Sequence, residues 1–195
     1  MDLFGAAASH DRPQPAHQQF VNLRTGTPAE FKALTYAFAA TRFGESCIAS
    51  TPRGICSLGF PDHRDAGLQA LRARFPAARL REGELDGLQQ QALAIVEGAP
   101  PDEEWPLDVH VLGTDFQAAT WRLLLRIPGG QTTTYQQLAD RMGQPRAAQA
   151  VGNAVGANPI AWLVPCHRVV RTDGKLGGFA WGLECKRQML LAERL

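Results

Sequence analysis

Between Leu34 and Phe60 the chain alternates apolar and polar positions in short bursts: Leu34 to Ala39, Ser46 to Ser50 and Gly54 to Phe60. Alternation with a period of two sends successive side chains to opposite faces, so each burst predicts a short strand. Gly44, Pro52 and Gly54 occupy the gaps, and spacing this tight favours an antiparallel meander. The period then lengthens. Asp65 to Arg74, carrying Leu68 and Leu71, and Leu85 to Glu97 read as helices around that small sheet. Residues 1 to about 28 are polar and broken by Pro13, Pro15, Gly26 and Pro28, which predicts a flexible arm over 1–30. Pro100 and Pro101 followed by Asp102, Glu103 and Glu104 predict a linker over 101–107, separating a domain over 31–100 from one over 108–195.

Beyond that linker the pattern is helical. Thr114 with Gln117 has the capping-box spacing, opening a helix that carries Phe116, Trp121, Leu124 and Ile127 and stops at Pro128-Gly129-Gly130. Thr134 with Gln137 opens a second helix, Tyr135 to Met142, ended by Gly143. Pro145 suits the first turn of a third, Arg146 to Val155. The last two helices, joined by a short turn, form a helix-turn-helix unit, a pattern that serves either DNA binding or plain packing. The third helix is crowded with Ala147, Ala148, Ala150, Gly152, Ala154 and Gly156. Each interior glycine costs roughly 1 kcal/mol relative to alanine, so something approaches this helix closely: a neighbouring helix or a nucleic-acid groove.

Composition narrows the classes without choosing among them. A chain of 195 residues, 45% hydrophobic and 20% charged, is that of an ordinary globular protein. No apolar run approaches the ~18 residues of a membrane span, and the start lacks a basic segment and long apolar stretch of a secretory signal. A cytoplasmic location without membrane contact follows as the expectation. Residues 1–107 hold 10 Lys/Arg against 13 Asp/Glu, and residues 108–195 hold 10 against 6. The basic second half permits a polyanionic partner. Cys47, Cys56, Cys166 and Cys185 form no CxxC pair, and with His63 and His110 they match no zinc spacing, so free thiols and no metal are expected.

The chemistry concentrates at Cys166-His167, reached through the apolar run Ile160 to Val164 and Pro165. A thiolate is the nucleophile, and an ordinary thiol with a pKa of ~8.5 needs a base or a favourable field at neutral pH. Around this pair the chain carries Tyr135-Gln136-Gln137-Leu138-Ala139, Gly156-Ala157-Asn158-Pro159 and Pro165-Cys166-His167-Arg168-Val169-Val170. With these motifs it closely resembles the O6-alkylguanine-DNA alkyltransferases, also called methylated-DNA–protein-cysteine methyltransferases. The likeness is strong over 108–195 and lies only in layout over 34–100. Within the family it is nearest to the C-terminal half of the bacterial adaptive-response proteins.

The resemblance implies a fold and a set of roles. The fold class is α/β plus α: a small antiparallel-sheet, ribonuclease-H-like N-terminal domain, then a mainly helical winged helix-turn-helix domain. Cys166 is the alkyl acceptor, His167 takes its proton through a bound water, Glu193 orients the imidazole, and Asn158 ties the turn to the active-site loop. Tyr135 donates to guanine N3 and crowds the target phosphate. The carbonyls of Cys166 and Val169 read the exocyclic amine, the Ala180 amide meets O6, and Val155 and Phe179 form apolar walls. Phe179 stands where some members have tyrosine, so a hydroxyl contact is lost.

The same resemblance implies double-stranded DNA as partner, bound through the minor groove by a monomer, with the lesion rotated out of the stack. Ala147 and Ala148 fit that narrow groove, and Arg146 contacts phosphate. Gln149 stands where family members usually insert an arginine, which implies weaker DNA binding. The implied reaction consumes its own cysteine, with no metal and no organic cofactor. The competing readings are a non-catalytic lesion sensor, disfavoured because Cys166 is present, and a cysteine hydrolase, which leaves the small-residue helix unexplained.

Overall fold

A computed structural model describes residues 19–102 and 104–193. Its first half is a mixed six-stranded sheet. The strands are β1 (Val21–Thr25), β2 (Ala33–Thr41), β3 (Gly44–Thr51), β4 (Gly54–Gly59), β5 (Arg79–Glu82) and β6 (Leu107–Val111), in the spatial order β1-β6-β4-β3-β2-β5. The expected meander is present, since β2–β3 and β3–β4 pair antiparallel. Both flanks differ from the expected antiparallel sheet: β5 joins β2 in parallel, and β6 and β1 continue in parallel beyond β4.

Two expected boundaries therefore move. Val21–Thr25 is an edge strand where a flexible arm was expected, and Leu107–Val111 belongs to the same six-stranded sheet where a linker and the start of a second domain were expected. The physical reason is burial: Val21, Leu23, Leu107, Val109 and Val111 are apolar at alternate positions and all sit in the main core. The remainder of the expected arm, residues 1–18, lies outside the described residues.

Alternation on the central strands divides the core. On β3, Ile48 faces the main cluster, while Cys47 and Ala49 face a second cluster with Leu34, Tyr36 and Phe75. Helix α1 (Arg64–Arg74) covers the second face with Leu71, and α2 (Gly87–Val96) covers the first with Ala92, Leu93 and Val96. Each helix thus closes one face of a sheet that would otherwise expose both.

The second half is helical: α3 (Asp115–Leu124), α4 (Tyr135–Arg141), α5 (Ala148–Gly156) and α6 (Leu183–Ala192). Both expected capping boxes form, Thr114 with Gln117 and Thr134 with Gln137. Helix α5 starts later than Pro145 suggested: Ala147 is its N-cap, and Arg146 belongs to the preceding turn. The Trp121 indole on α3 donates to the Ala154 carbonyl at 2.9 Å, fixing α5 against the core. A short parallel pair, β7 (Thr133–Thr134) with β8 (Val169–Val170), holds the entry to α4 beside the segment after Cys166.

Central strand β4 couples the halves. Leu58 donates to Pro159 O at 2.9 Å and accepts from Ala161 N at 2.8 Å. Gly59 leaves room for the Trp181 indole, since a Cβ there would fall 2.4 Å from its ring nitrogen. No helix among the described residues is long and apolar enough to cross a membrane.

Candidate active site

Cys166 opens a single 3-10 turn, Cys166–Arg168, immediately after Pro165. Asn158 organises the approach: its Nδ2 donates to Val164 O at 2.8 Å, Ile160 O at 3.1 Å and Cys166 Sγ at 3.1 Å, while its Oδ1 accepts from Ile160 N at 3.0 Å. One buried side chain thereby fixes both ends of the loop and touches the sulfur. Trp162 adopts a left-handed backbone, φ 64°, which costs about 1–3 kcal/mol for a bulky residue. Its surroundings hold it there. The indole stacks on the His167 ring at 5.2 Å and 5°, and the Phe43 ring packs against it with centroids 4.9 Å apart.

His167 is fully buried and its Nε2 lies 2.7 Å from Glu193 Oε1. The same oxygen accepts from Arg168 Nε at 2.8 Å and Nη2 at 2.7 Å, and Arg168 Nη1 donates to the Ile127 carbonyl. Gly130 N donates to Glu193 Oε2 at 3.2 Å, so the Pro128-Gly129-Gly130 stop of α3 also supports the carboxylate. An ionised carboxylate only accepts, so Nε2 carries the imidazole proton and Nδ1 presents a lone pair. That Nδ1 is buried without a hydrogen-bond partner among the described residues.

The charges suit this assignment. Burial works against ionised Glu193, yet His167 and Arg168 hold its carboxyl down to about 2. Burial lowers the His167 pKa despite the pull of Glu193, leaving a neutral base. Burial also pushes the Cys166 thiol up to about 11, opposed by the Asn158 bond and the Lys186 charge. The resting sulfur is therefore a thiol, and it requires a base when it attacks.

Cys166, only 3% exposed, forms the floor of a cavity of about 900 Å³. Tyr135, Ala148, Gln149, Val155, Phe179 and Ala180 line it. His167, Asn158 and Glu193 are buried outside that lining, with Asn158 in direct contact with Cys166. Arg146 and Ala147 precede α5 and do not line the cavity. Of the small α5 residues, Ala154 is buried, whereas Gly152 and Gly156 line the cavity; a Cβ on Gly156 would meet nothing within 4 Å. Gly156 thus borders open space, whereas a Cβ on Gly152 would meet the Tyr135 ring of α4 at 3.6 Å.

Val169 differs from expectation. It is fully buried, and its carbonyl accepts from Lys186 Nζ at 2.6 Å. A carbonyl has a second lone pair, so any amine contact there shares the oxygen with lysine. Lys186 also bonds Leu176 O at 2.5 Å and Gly178 O at 3.5 Å, tying the segment before Phe179 to α6; burial lowers its amine to about 8.

Lys186, Arg168 and Trp162 are the residues sequence reasoning missed. Lys186 had a signal: it falls on the inward α6 stripe with Met189, Leu190 and Glu193, all buried and spaced at helical period. The residues weighed for zinc have other work. Cys47 and Cys56 pack in the apolar cluster of the second sheet face, His63 accepts from Ala66 N at the start of α1, and His110 stacks on Phe31 at 4.4 Å.

Residues 115–195 match the family described as "6-O-methylguanine DNA methyltransferase, DNA binding domain". The chain is 41% identical over 165 residues to the "Regulatory protein ada" of Salmonella typhimurium, covering 83% of this chain and 46% of that protein. It spans about half the length of that relative and of its Escherichia coli counterpart. It is 38% identical over 149 residues to the inducible methylated-DNA–protein-cysteine methyltransferase of Bacillus subtilis, covering 75% of this chain and 83% of the relative. Among solved structures, Mycobacterium tuberculosis OGT in complex with DNA superposes with a TM-score of 0.68 at 32% identity, over 82% of this chain and 92% of that one. By its sequence and its α/β fold, the chain belongs to the methylated-DNA–protein-cysteine methyltransferase family.

Proposed function

We propose that the chain is a direct-reversal DNA repair protein that transfers the alkyl group of O6-alkylguanine to its own Cys166. The observation that carries this reading is a buried thiol on the floor of a nucleotide-sized cavity, with a neutral histidine beside it whose tautomer Glu193 fixes. As the sulfur attacks, the S–C bond forms and the C–O6 bond breaks. The thiol proton passes through a bound water to His167 Nδ1, and the departing guanine takes up a proton from solvent while Tyr135 donates to N3. The thioether has no route back to thiol, so each chain reacts once, without metal or organic cofactor.

A base inside a duplex cannot reach a floor this deep. Rotating it out costs a few kcal/mol, least for a badly paired lesion. In this reading α4 and α5 are the helix-turn-helix of a winged domain, and α5 enters the minor groove, where Ala147 and Ala148 fit a narrow space. Arg146 contacts phosphate and Gln149 fills the gap left in the stack. The Cys166 and Val169 carbonyls, the Ala180 amide, Val155 and Phe179 receive the base. The first half, of ribonuclease-H-like layout, supports the active-site loop through Leu58, and the protein works as a cytoplasmic monomer. The OGT structure in complex with DNA supports the choice of partner.

The test is to mix the chain with duplex DNA containing O6-methylguanine and map modified peptides by mass. A methyl on the Cys166 peptide, at no more than one per chain, is the expected result. Tight binding with no modified peptide would instead make the protein a lesion sensor.

A further inference from the structure

We propose that Arg171 is the phosphate anchor of this site, gripping the backbone of the rotated nucleotide at the cavity mouth while Cys166 meets the base at its floor. The proposal rests on the repair reading above and assigns the charge that the α5 part of the cavity lacks.

Arg171 is the only ionisable side chain besides Tyr135 and Cys166 among the cavity's described lining residues, and the only cation. Gln149, at the α5 position where family members usually insert an arginine, is neutral, and Arg146 lies outside the cavity. Depth separates the two ends of the site: Cys166 is 3% exposed, whereas the Arg171 side chain is 61% exposed. A nucleotide whose base descends to the sulfur leaves its phosphodiester at the level of the guanidinium.

The fold fixes this placement. In the β7–β8 pair, Thr134 is in register with Val170, so the next residues, Tyr135 and Arg171, leave the pair side by side. They converge across Gly177, where a Cβ would fall 2.9 Å from Tyr135 Oη and 3.3 Å from Arg171 Cγ. Gly177 has φ +71°, so backbone conformation and space both favour glycine there. The turn that follows pins the Arg171 backbone: its N donates to Lys175 O at 2.9 Å, and its carbonyl accepts from Gly174 N at 3.0 Å.

The head group is available for a ligand. Asp173 lies 3.6 Å from Arg171 Nε and shares its carboxylate with Lys175 at 3.3 Å, an exposed arrangement of little energetic weight. The two Nη groups have no protein partner among the described residues. A planar guanidinium with both amino groups open, beside a phenol, suits two oxygens of a phosphodiester. Lys175, 77% exposed and outside the cavity lining, serves as a matched control for loss of charge.

The experiment uses the full chain with Arg171→Gln, Arg171→Lys and Lys175→Gln, and two methyl donors: a duplex carrying one O6-methylguanine, and the free O6-methylguanine base, which has no phosphate. Expected for Arg171→Gln is a loss of transfer rate on duplex that exceeds its loss on free base by about tenfold, the weight of one charge-assisted contact. The slope of log binding constant against log salt becomes shallower by about 0.9. Arg171→Lys restores the salt slope with only part of the rate, and Lys175→Gln shifts duplex transfer by less than about twofold. Equal losses on duplex and free base would overturn the proposal by making Arg171 a prop of the cavity wall. Unchanged duplex transfer and an unchanged salt slope would overturn it outright. Absence of transfer by the unsubstituted chain would remove the repair reading itself, and the anchor with it.

Discussion

Two of the buried polar networks among the described residues, one in each half, are built on opposite plans. In the sheet half, Ser50 donates to Asp86 at 2.5 Å, Gln89 Nε2 bonds Ser50 Oγ at 3.1 Å and Thr35 O at 3.0 Å, and Asp86 caps α2. Every one of those contacts locks an element end or a strand. In the helical half, Arg168, Glu193 and His167 are as deeply buried, yet His167 Nδ1 has no hydrogen-bond partner among the described residues, and His167 and Glu193 both have lowered pKa values. A satisfied network adds rigidity, whereas one with an open acceptor beside a thiol stores a capacity for proton transfer.

Substitution separates the two plans most sharply. Cys166→Ala abolishes methyl transfer, measured by mass on the modified peptide, while duplex binding persists; residual transfer would sink the acceptor assignment. Glu193→Gln leaves Arg168 buried without its counter-charge, which costs roughly 3–5 kcal/mol of stability in denaturant unfolding. It also frees the His167 tautomer, so transfer per folded chain falls about a hundredfold. Ser50→Ala costs about 1–2 kcal/mol and leaves transfer per folded chain within about twofold. If Ser50→Ala slowed transfer as much as Glu193→Gln, the contrast between the networks would fail.

Acid and base give the next contrast. Glu193 is held at about 2 against an ordinary 4.5. A depressed carboxyl stabilises the fold fully above its ordinary value, so this contribution drains away between about pH 4.5 and pH 2. Its size is roughly 3 kcal/mol. Lys186 is also lowered, to about 8 from 10.5, but here it is the charged form that burial disfavours. Between those values the unfolded chain binds more protons, so stability rises with pH through that window. Unfolding free energies of Glu193→Gln and Lys186→Met across pH should each lose one of these limbs. An acid limb that survives in Glu193→Gln would assign it to other carboxyls.

The same two regions differ in how far the sequence disclosed them. Cys166, His167, Asn158 and Tyr135 were legible because they stand in short contiguous motifs, and Glu193 came through resemblance to the family's last helix. Both capping boxes were legible because their partners lie three residues apart. Arg168 was not, because its partners, Ile127 and Glu193, are remote in sequence and a lone arginine reads as surface. Strand β5 escaped notice because three of its four residues are exposed, Arg79, Arg81 and Glu82, which leaves no alternation. By contrast, β6 alternates Leu107, Val109 and Val111 plainly, and was obscured only by the adjoining proline-rich acidic run.

A gain rather than a loss is expected at Gln149→Arg, and it connects the floor of the cavity to its rim. Glutamine fills space and hydrogen-bonds, but it is shorter than arginine and carries no charge for phosphate or stacked bases. Gln149 is exposed on the first turn of α5 and lines the cavity, so a longer cationic side chain meets no core obstacle there. Gln149→Arg should therefore raise the repair rate on O6-methylguanine duplex about threefold to tenfold at low salt, with the gain shrinking as salt screens it. Arg171 already brings a cation to the same cavity, so this gain should be smaller than the loss in Arg171→Gln. Equal repair rates for Gln149 and its arginine variant at matched salt would show that the charge at this position is dispensable. Delivery of the base would then depend on the Arg171 side of the mouth.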